Sequence, residues 1–262
     1  MALAPDTKWT DDEIVFSDMT PDTLFVFDRM TVETIRAVDA RPGERVLDVA
    51  CGRSIDALAM AKDGADIYGL EASDVMLDKS REYLGARKEK VTLVRGLAEN
   101  LPFADDTFDK VVCKGAMDHF ADLEKSMAEM ARVTKPTGTV IIAIANFESL
   151  TCRLGRSLGK VREKLTGQKP AEHPFWEPPL DHNYKFDLDT LTRLLAAHGR
   201  IQSVLGMSLL WGFPNFGSFL RKLPASFSAA VLRGLDAGAR LMPGFSDVLV
   251  ARATPTKTTR EH

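Results

Sequence analysis

Apolar residues in this chain gather in short continuous runs, and the segments between them carry a longer, helical period. ERVLDVA (44–50), DIYGLEAS (66–73), VTLVRG (91–96), FDKVVCKG (108–115) and GTVIIAIAN (138–146) read as short strands rich in Val, Ile and Leu. The last of these is too continuous to be half-exposed. Between them, SIDALAMAKDG (54–64), a segment from Asp74 to about Arg87, and one at about 121–133 predict helices. Gly64 supplies a stop and Asp74 a cap. Ahead of the first strand, residues 1–43 hold one helical stripe: Phe25, Phe27, Met30, Ile35 and Val38. After Asn146 the regularity breaks. Residues 147–186 are basic, then rich in Pro, His and aromatics. A helix at about 187–198 and a strand at 201–207 resume the pattern. Residues 208–244 form a second insertion, and FSDVLVARA (245–253) is a last strand before a polar tail, 254–262, expected to be disordered. Strands alternating with helices imply a parallel sheet covered on both faces.

Composition narrows the class. A chain of 262 residues with this pattern fits one α/β domain over 1–253, its insertions included. Apolar content of 45% and charged content of 27% are those of a globular protein. A net charge of -3 offers no basic field for nucleic acid. Three cysteines, Cys51, Cys113 and Cys152, form no disulfide framework and fit a reducing cytoplasm. Their spacing shows no metal motif. The acidic start MALAPDTKWTDDEIVF is unlike a signal peptide, and no apolar run reaches the ~18 residues needed to span a bilayer. A cytoplasmic location follows as the expectation; contact with a membrane surface stays open.

Candidate chemistry centres on the turn after the first strand, Asp48-Val-Ala-Cys-Gly52-Arg-Ser54. Small residues at 50, 52 and 54 let backbone approach a ligand at the carboxyl edge of the sheet. Glu71, ending the second strand 19 residues after Gly52, can accept hydrogen bonds from both hydroxyls of a ribose. A dinucleotide fingerprint would want glycine at 50, 52 and 55, where Ala50, Gly52 and Ile55 stand. The bland alternative is a tight turn that binds nothing.

The turn VLDVACGRS resembles the VLDxGCGTG loop of class I S-adenosylmethionine-dependent methyltransferases, above all the group that includes the ubiquinone- and menaquinone-type enzymes. Three further motifs follow in order: GLEASDVML (69–77), GLAENLPFADDTFDKVV (96–112) and MDHFADLEKSMAEMARVTKPTG (117–138). The resemblance covers about residues 44–146. It implies a Rossmann-like, seven-stranded, mostly parallel sheet with helices on both faces, the insertions forming a cap. It implies S-adenosylmethionine as cofactor and S-adenosylhomocysteine as product. By the same resemblance, Asp48 organises the loop near the methionine ammonium, while Ala50, Cys51, Gly52 and Ser54 run along the cofactor. Glu71 holds the ribose, Ala72 and Met76 flank the adenine, and Leu97, Ala98 and Glu99 line its edge. Lys114 and Gly115 lend backbone near the methionine portion, and His119 faces the reaction centre. Ala50, Ser54 and Leu97 depart from the family pattern. Ala50 replaces a glycine, a mild change where φ is negative. Ser54 adds a hydroxyl near the methionine carboxylate. Leu97 replaces the acid that bonds the adenine amine.

Methyl transfer from a sulfonium is an in-line displacement, catalysed mostly by alignment. A base helps where the acceptor is a hydroxyl or an acidic carbon. His119 and His182 are the candidate catalytic residues; the plain alternatives are packing against the cofactor for His119 and bracing a helix N-terminus for His182. His173, Trp176, Tyr184, Trp211 and Phe216 are candidate substrate contacts. Leu154, Leu158, Val161 and Leu165, interleaved with Arg and Lys, make a basic amphipathic helix, either a lid or a contact with lipid. The aromatic insertions suit a small, partly apolar acceptor, such as a quinone or lipid. The alternatives are a binder of the cofactor or its product without turnover, and a nicotinamide oxidoreductase.

Overall fold

The computed structural model describes residues 4–12, 19–62, 64–85, 87, 90–169, 172 and 174–256. Seven strands form one sheet in the order β3-β2-β1-β4-β5-β7-β6. They are β1 (Arg45–Val49), β2 (Asp66–Glu71), β3 (Val91–Arg95), β4 (Phe108–Lys114), β5 (Thr134–Ala145), β6 (Gly199–Met207) and β7 (Val248–Pro255). All neighbours are parallel except β7, which runs against both β5 and β6. This is the Rossmann-like, mostly parallel sheet that the alternation and the resemblance imply.

The continuous apolar runs have a simple cause. Successive residues of a strand point to opposite faces, and here both faces are covered. In β5, Val140, Ile142 and Ile144 enter one core, Ile141 and Ala143 the other. The second core is closed by α1 (Pro21–Val38) and α2 (Ile55–Ala61), which contribute Val26, Met30, Val38, Ala57 and Met60. The first is closed by α4 (Leu123–Val133) and α6 (Leu188–His198), through Met127, Met130, Leu191 and Leu195. Between β2 and β3 the chain forms α3 (Asp74–Leu84).

Several boundaries differ from the expectation, each for a local reason. Ser73, not Asp74, caps α3, its hydroxyl accepting from the Met76 N–H at 3.4 Å. The KPTG segment (135–138), expected from its Pro and Gly to be a turn, is part of β5: α4 runs straight into the strand, with a register shift between Phe108 and Lys110. Gly138 permits this, since a Cβ there would lie 2.7 Å from the Asp109 carbonyl oxygen. Pro243–Phe245 forms a short 3-10 turn, so β7 starts at Val248 and runs through Thr254 and Pro255, where the polar tail was expected to begin. Residues 257–262 of that tail lie outside the described residues. The first insertion holds α5 (Leu150–Thr166); the second holds α7 (Phe216–Arg221) and α8 (Ala225–Leu241).

One buried carboxylate ties both insertions to the sheet. Asp247, 3% exposed, accepts from the Trp211 N–H at 2.9 Å and the Thr151 hydroxyl at 3.1 Å. Burial pushes its carboxyl up to about 6, against the pull of those hydrogen bonds. In the unfolded chain the group titrates near ~3.9. The fold therefore favours the protonated form, and that contribution is complete below pH ~4 and lost as pH rises through about 6. Urea unfolding across this range is expected to show wild type losing about 3 kcal/mol relative to Asp247→Asn. Parallel curves for the two proteins would mean that Asp247 is ionised throughout.

Candidate active site

The cofactor-type loop takes an alternating path. Ala50, Gly52 and Ser54 all adopt the left-handed conformation, with φ of 60°, 52° and 59°. For Ala50 the condition for a mild replacement of glycine, a negative φ, is not met, and a Cβ in that region crowds the following carbonyl. Glu71 holds the loop in place. Its carboxylate, 6% exposed, accepts from the Gly52 N–H at 3.0 Å and from the Ala72 and Ser73 N–H groups at 2.9 Å each. Ser54 faces inward. Its hydroxyl receives the Ser80 hydroxyl at 2.6 Å and is directed at Cys51 Sγ, 3.4 Å away. It is fully buried and does not line the cleft, unlike the other cofactor candidates.

Beside this loop opens a cleft of about 480 Å³, at the carboxyl ends of β1, β2 and β4. Asp48, Ala50, Cys51, Gly52, Glu71, Ala72, Met76, Leu97, Ala98, Glu99, Lys114, Gly115 and His119 line it together. Glu99 is partly engaged there, since its carboxylate accepts from the Ala121 N–H at 2.8 Å.

Charge in the cleft is one-sided. Asp6, Asp11, Asp48, Asp56, Glu71 and Glu99 line it against Arg53 and Lys114. Both cations are already paired. Lys114 meets Asp56 and donates to the Thr31 hydroxyl at 2.8 Å; Arg53 binds Asp11 at 3.0 Å. Burial, and then the charge of Asp56, push the Asp48 carboxyl well above its ordinary range; Glu71 adds to this and Lys114 opposes it. Such a cleft favours a ligand carrying positive charge.

Part of the site was invisible in the sequence. Pro5, Asp6, Trp9 and Asp11 lie across the cleft, although no hydrophobic period marks residues 4–12. The Trp9 carbonyl accepts from the Ser73 hydroxyl at 2.8 Å, and Lys79 reaches Asp11 at 2.7 Å and the Thr10 hydroxyl at 2.8 Å. The Arg53 guanidinium, with Lys79, holds the Asp11 carboxyl at about 2 in spite of its partial burial. A lone tryptophan in an acidic stretch was the available sign. Phe27, Met30 and Thr31 line the same cleft from α1.

His119 is on the cleft wall and His182 stands behind it, the ring centroids 4.5 Å apart. Buried Asp118 faces both: Oδ2 lies 2.9 Å from His182 Nδ1 and Oδ1 lies 3.9 Å from His119 Nε2. Burial alone would lower the His182 pKa, but the carboxylates of Asp118 and then Asp181 outweigh it and raise it above the ordinary value. Donor atoms of Asp118, His119 and His182 fall within 4.8 Å of one another, a grouping that no spacing in the sequence announced. The Asn183 and Tyr184 N–H groups bind the Asp118 carbonyl at 2.7 and 3.2 Å, which holds the cluster together.

The substrate candidates are not brought together in this cleft. Tyr184 donates its hydroxyl to the Ala121 carbonyl and packs on the core. Trp176 packs with Phe175 over Gly155 of α5. Trp211 sits one layer back, edge-on to Phe27 at 5.9 Å. Phe216 begins α7 and is not among the residues lining the cleft. His173 lies outside the described residues.

Residues 47–142 match a family described as a methyltransferase domain. The chain is 35% identical over 128 residues to a demethylmenaquinone methyltransferase of Beutenbergia cavernae, covering 48% of this chain and 52% of that protein. It is 39% identical over 128 residues to one of Thermobifida fusca, covering 48% and 53%. The chain thus spans about half the length of the curated relatives it matches. A crystal structure of a SAM-dependent methyltransferase from Aquifex aeolicus superposes with a TM-score of 0.58 at 15% identity, over 95% of this chain and all of that one, which is a likeness of fold. No described helix is long and apolar enough to cross a membrane.

The strained loop makes a prediction. Ala50→Gly removes a left-handed Cβ at some cost in chain entropy, for a net gain of about 0.5–1 kcal/mol. Calorimetry should show the thermal midpoint rising by ~1–4 °C; an unchanged midpoint would mean that alanine is unstrained there.

Proposed function

We propose that this chain, whose residues 47–142 match a methyltransferase domain family, moves a methyl group from S-adenosylmethionine to a small, partly apolar acceptor, leaving S-adenosylhomocysteine. The observation that carries this reading is the cleft itself, acidic and with both of its cations paired, beside a Glu71 carboxylate bonded to the loop. Its size is in the range of small-ligand sites. A pyrophosphate would meet Asp48, Asp56 and Glu71 there, which disfavours a dinucleotide.

Bound S-adenosylmethionine supplies a methyl group made electrophilic by its positive sulfur. The residues here fit it. Asp48 would face the ammonium, and Glu71 the ribose hydroxyls. Ala72, Met76, Leu97 and Ala98 would enclose the adenine. Phe27, Met30 and Phe120 give the cleft apolar walls that suit a ring. The relatives named for demethylmenaquinone favour a quinone- or phenol-like acceptor. Its proton passes to the coupled imidazoles of His119 and His182, with Asp118 as the positioning residue that stabilises the charged form. In this reading the segments 147–186 and 208–244 form the cap on the acceptor side. Three unpaired cysteines suit a cytoplasmic setting.

Titration calorimetry is expected to show saturable binding of S-adenosylmethionine and S-adenosylhomocysteine, weakened ~10–100-fold in Glu71→Ala. A well-folded protein that ignores both would sink the assignment. Binding without turnover of any quinone or phenol would leave a sensor or partner protein.

The proton-handling cluster predicts a pH profile. An imidazole must be neutral to accept a proton, and the pKa of His182 is raised, so kcat/KM should fall on the acid side with an inflection above ~6.5. Asp118→Asn removes the carboxylate and leaves the burial, which should lower both the inflection and kcat. A profile that keeps its inflection in this variant would remove the cluster from the reaction. Chelators should leave the rate unchanged; a loss would make the trio a metal set instead.

A further inference from the structure

Helix α5 is held by its beginning alone. Thr151, Cys152 and Gly155 are buried, whereas Leu158, Val161 and Leu165 are 55%, 54% and 79% exposed, with Leu154 at 38%. At about 100° per residue, these four fall within a single stripe roughly 60° wide. Arg162 and Lys164 lie about 80° to either side of it, and Arg153 and Lys160 lie just beyond Lys164 on that flank. The one acid of the helix, Glu163, lies opposite the stripe. From Leu150 to Lys169 there are six basic residues. Lys160 and Lys164 have no acidic partner among the described residues. Near the start of the helix the Arg153 guanidinium stands 4.9 Å over the Phe245 ring, and the preceding Leu241 and Met242 are 83% and 48% exposed.

We propose that α5 docks this protein on an anionic phospholipid bilayer, with the leucine stripe in the acyl boundary and the flanking cations at the headgroups. Charge selects this occupant. Two copies meeting stripe to stripe would bring their cations together, and an acidic protein partner would leave the leucines unexplained. The chain as a whole carries -3, so its net charge does not draw it to a negative surface, and the attraction comes from a local patch such as this one. Because α5 follows β5 at the carboxyl edge of the sheet, docking brings the acceptor side toward the lipid. Delivery of a lipid-borne acceptor rests on the methyl-transfer reading; docking itself does not.

Vesicle flotation of the full chain tests the docking without reading activity. Binding to phosphatidylglycerol–phosphatidylcholine vesicles is expected, weakening with salt, with little binding to phosphatidylcholine alone. Leu158→Glu with Leu165→Glu should abolish it, and Lys160→Glu with Lys164→Glu should weaken it at least 25-fold, at about fivefold per cation removed. Both pairs are at exposed positions, so the thermal midpoint and the calorimetric cofactor titration should be unchanged. Wild-type protein that stays with the soluble fraction, or a leucine variant that floats equally well, overturns the proposal. Self-association lost in the leucine variant, without vesicle binding, overturns it in favour of a second copy.

Discussion

The carboxylate of Glu71 is the contact on which the cleft depends. A buried carboxylate is costly unless its oxygens are satisfied, and this one accepts three backbone N–H groups, one from the loop after β1 and two from the chain after β2. Those bonds join the two strand ends that frame the cleft. They draw Gly52 toward β2, and the loop reaches it by taking left-handed backbone at three alternate positions. Ser54 is thereby turned inward toward Ser80, and Cys51 is pressed against Gly69, where a Cβ would come within 2.8 Å of its sulfur.

Holding Glu71 there has an electrostatic consequence. Asp48 and Asp56 lie close by, and charge of one sign accumulates around a buried carboxyl. The fold relieves this at the edges: Lys114 joins Asp56 and Thr31, tying β4 to α2 and α1, and Arg53 joins Asp11. At the centre burial, and then the charge of Asp56, hold the Asp48 carboxyl well above its ordinary range. Local strain and unbalanced charge coincide at one loop, and a fold retains such a combination where a ligand completes it.

How much of this was legible follows from the range of each interaction. The sheet was legible because burial on both faces writes itself into contiguous residues, as in Val140 to Ile144. The loop was legible because Asp48, Gly52 and Glu71 have a spacing that backbone geometry constrains. The sign of φ at Ala50 was not, since it depends on how the loop is drawn to Glu71 at the end of β2. Ser54 was assigned to the cleft by position, but its hydroxyl found Ser80 on another helix. The meeting of Asp118 with His182 depends on the return of the chain after α5, secured by Asn183 and Tyr184. Trp176 and Tyr184 were selected as aromatics in an insertion, yet their polar and apolar atoms are spent on packing.

The division of the chain also bears on specificity. The stretch that the methyltransferase family model matches ends at 142, before α5, the Asp247 anchor and both insertions. A cofactor site built within the matched part can be shared across many chemistries, since a fold does not choose an acceptor. The elements that follow residue 142 are not independent of one another. Asp247 bonds both the start of α5, through Thr151, and the Trp211 loop, whose ring leans on Phe27 in the cleft wall. A force applied to α5 is therefore received by a buried carboxylate two contacts away from the ligand space. The start of α5 and the Trp211 loop thus share one anchor, which stands apart from the loop after β1.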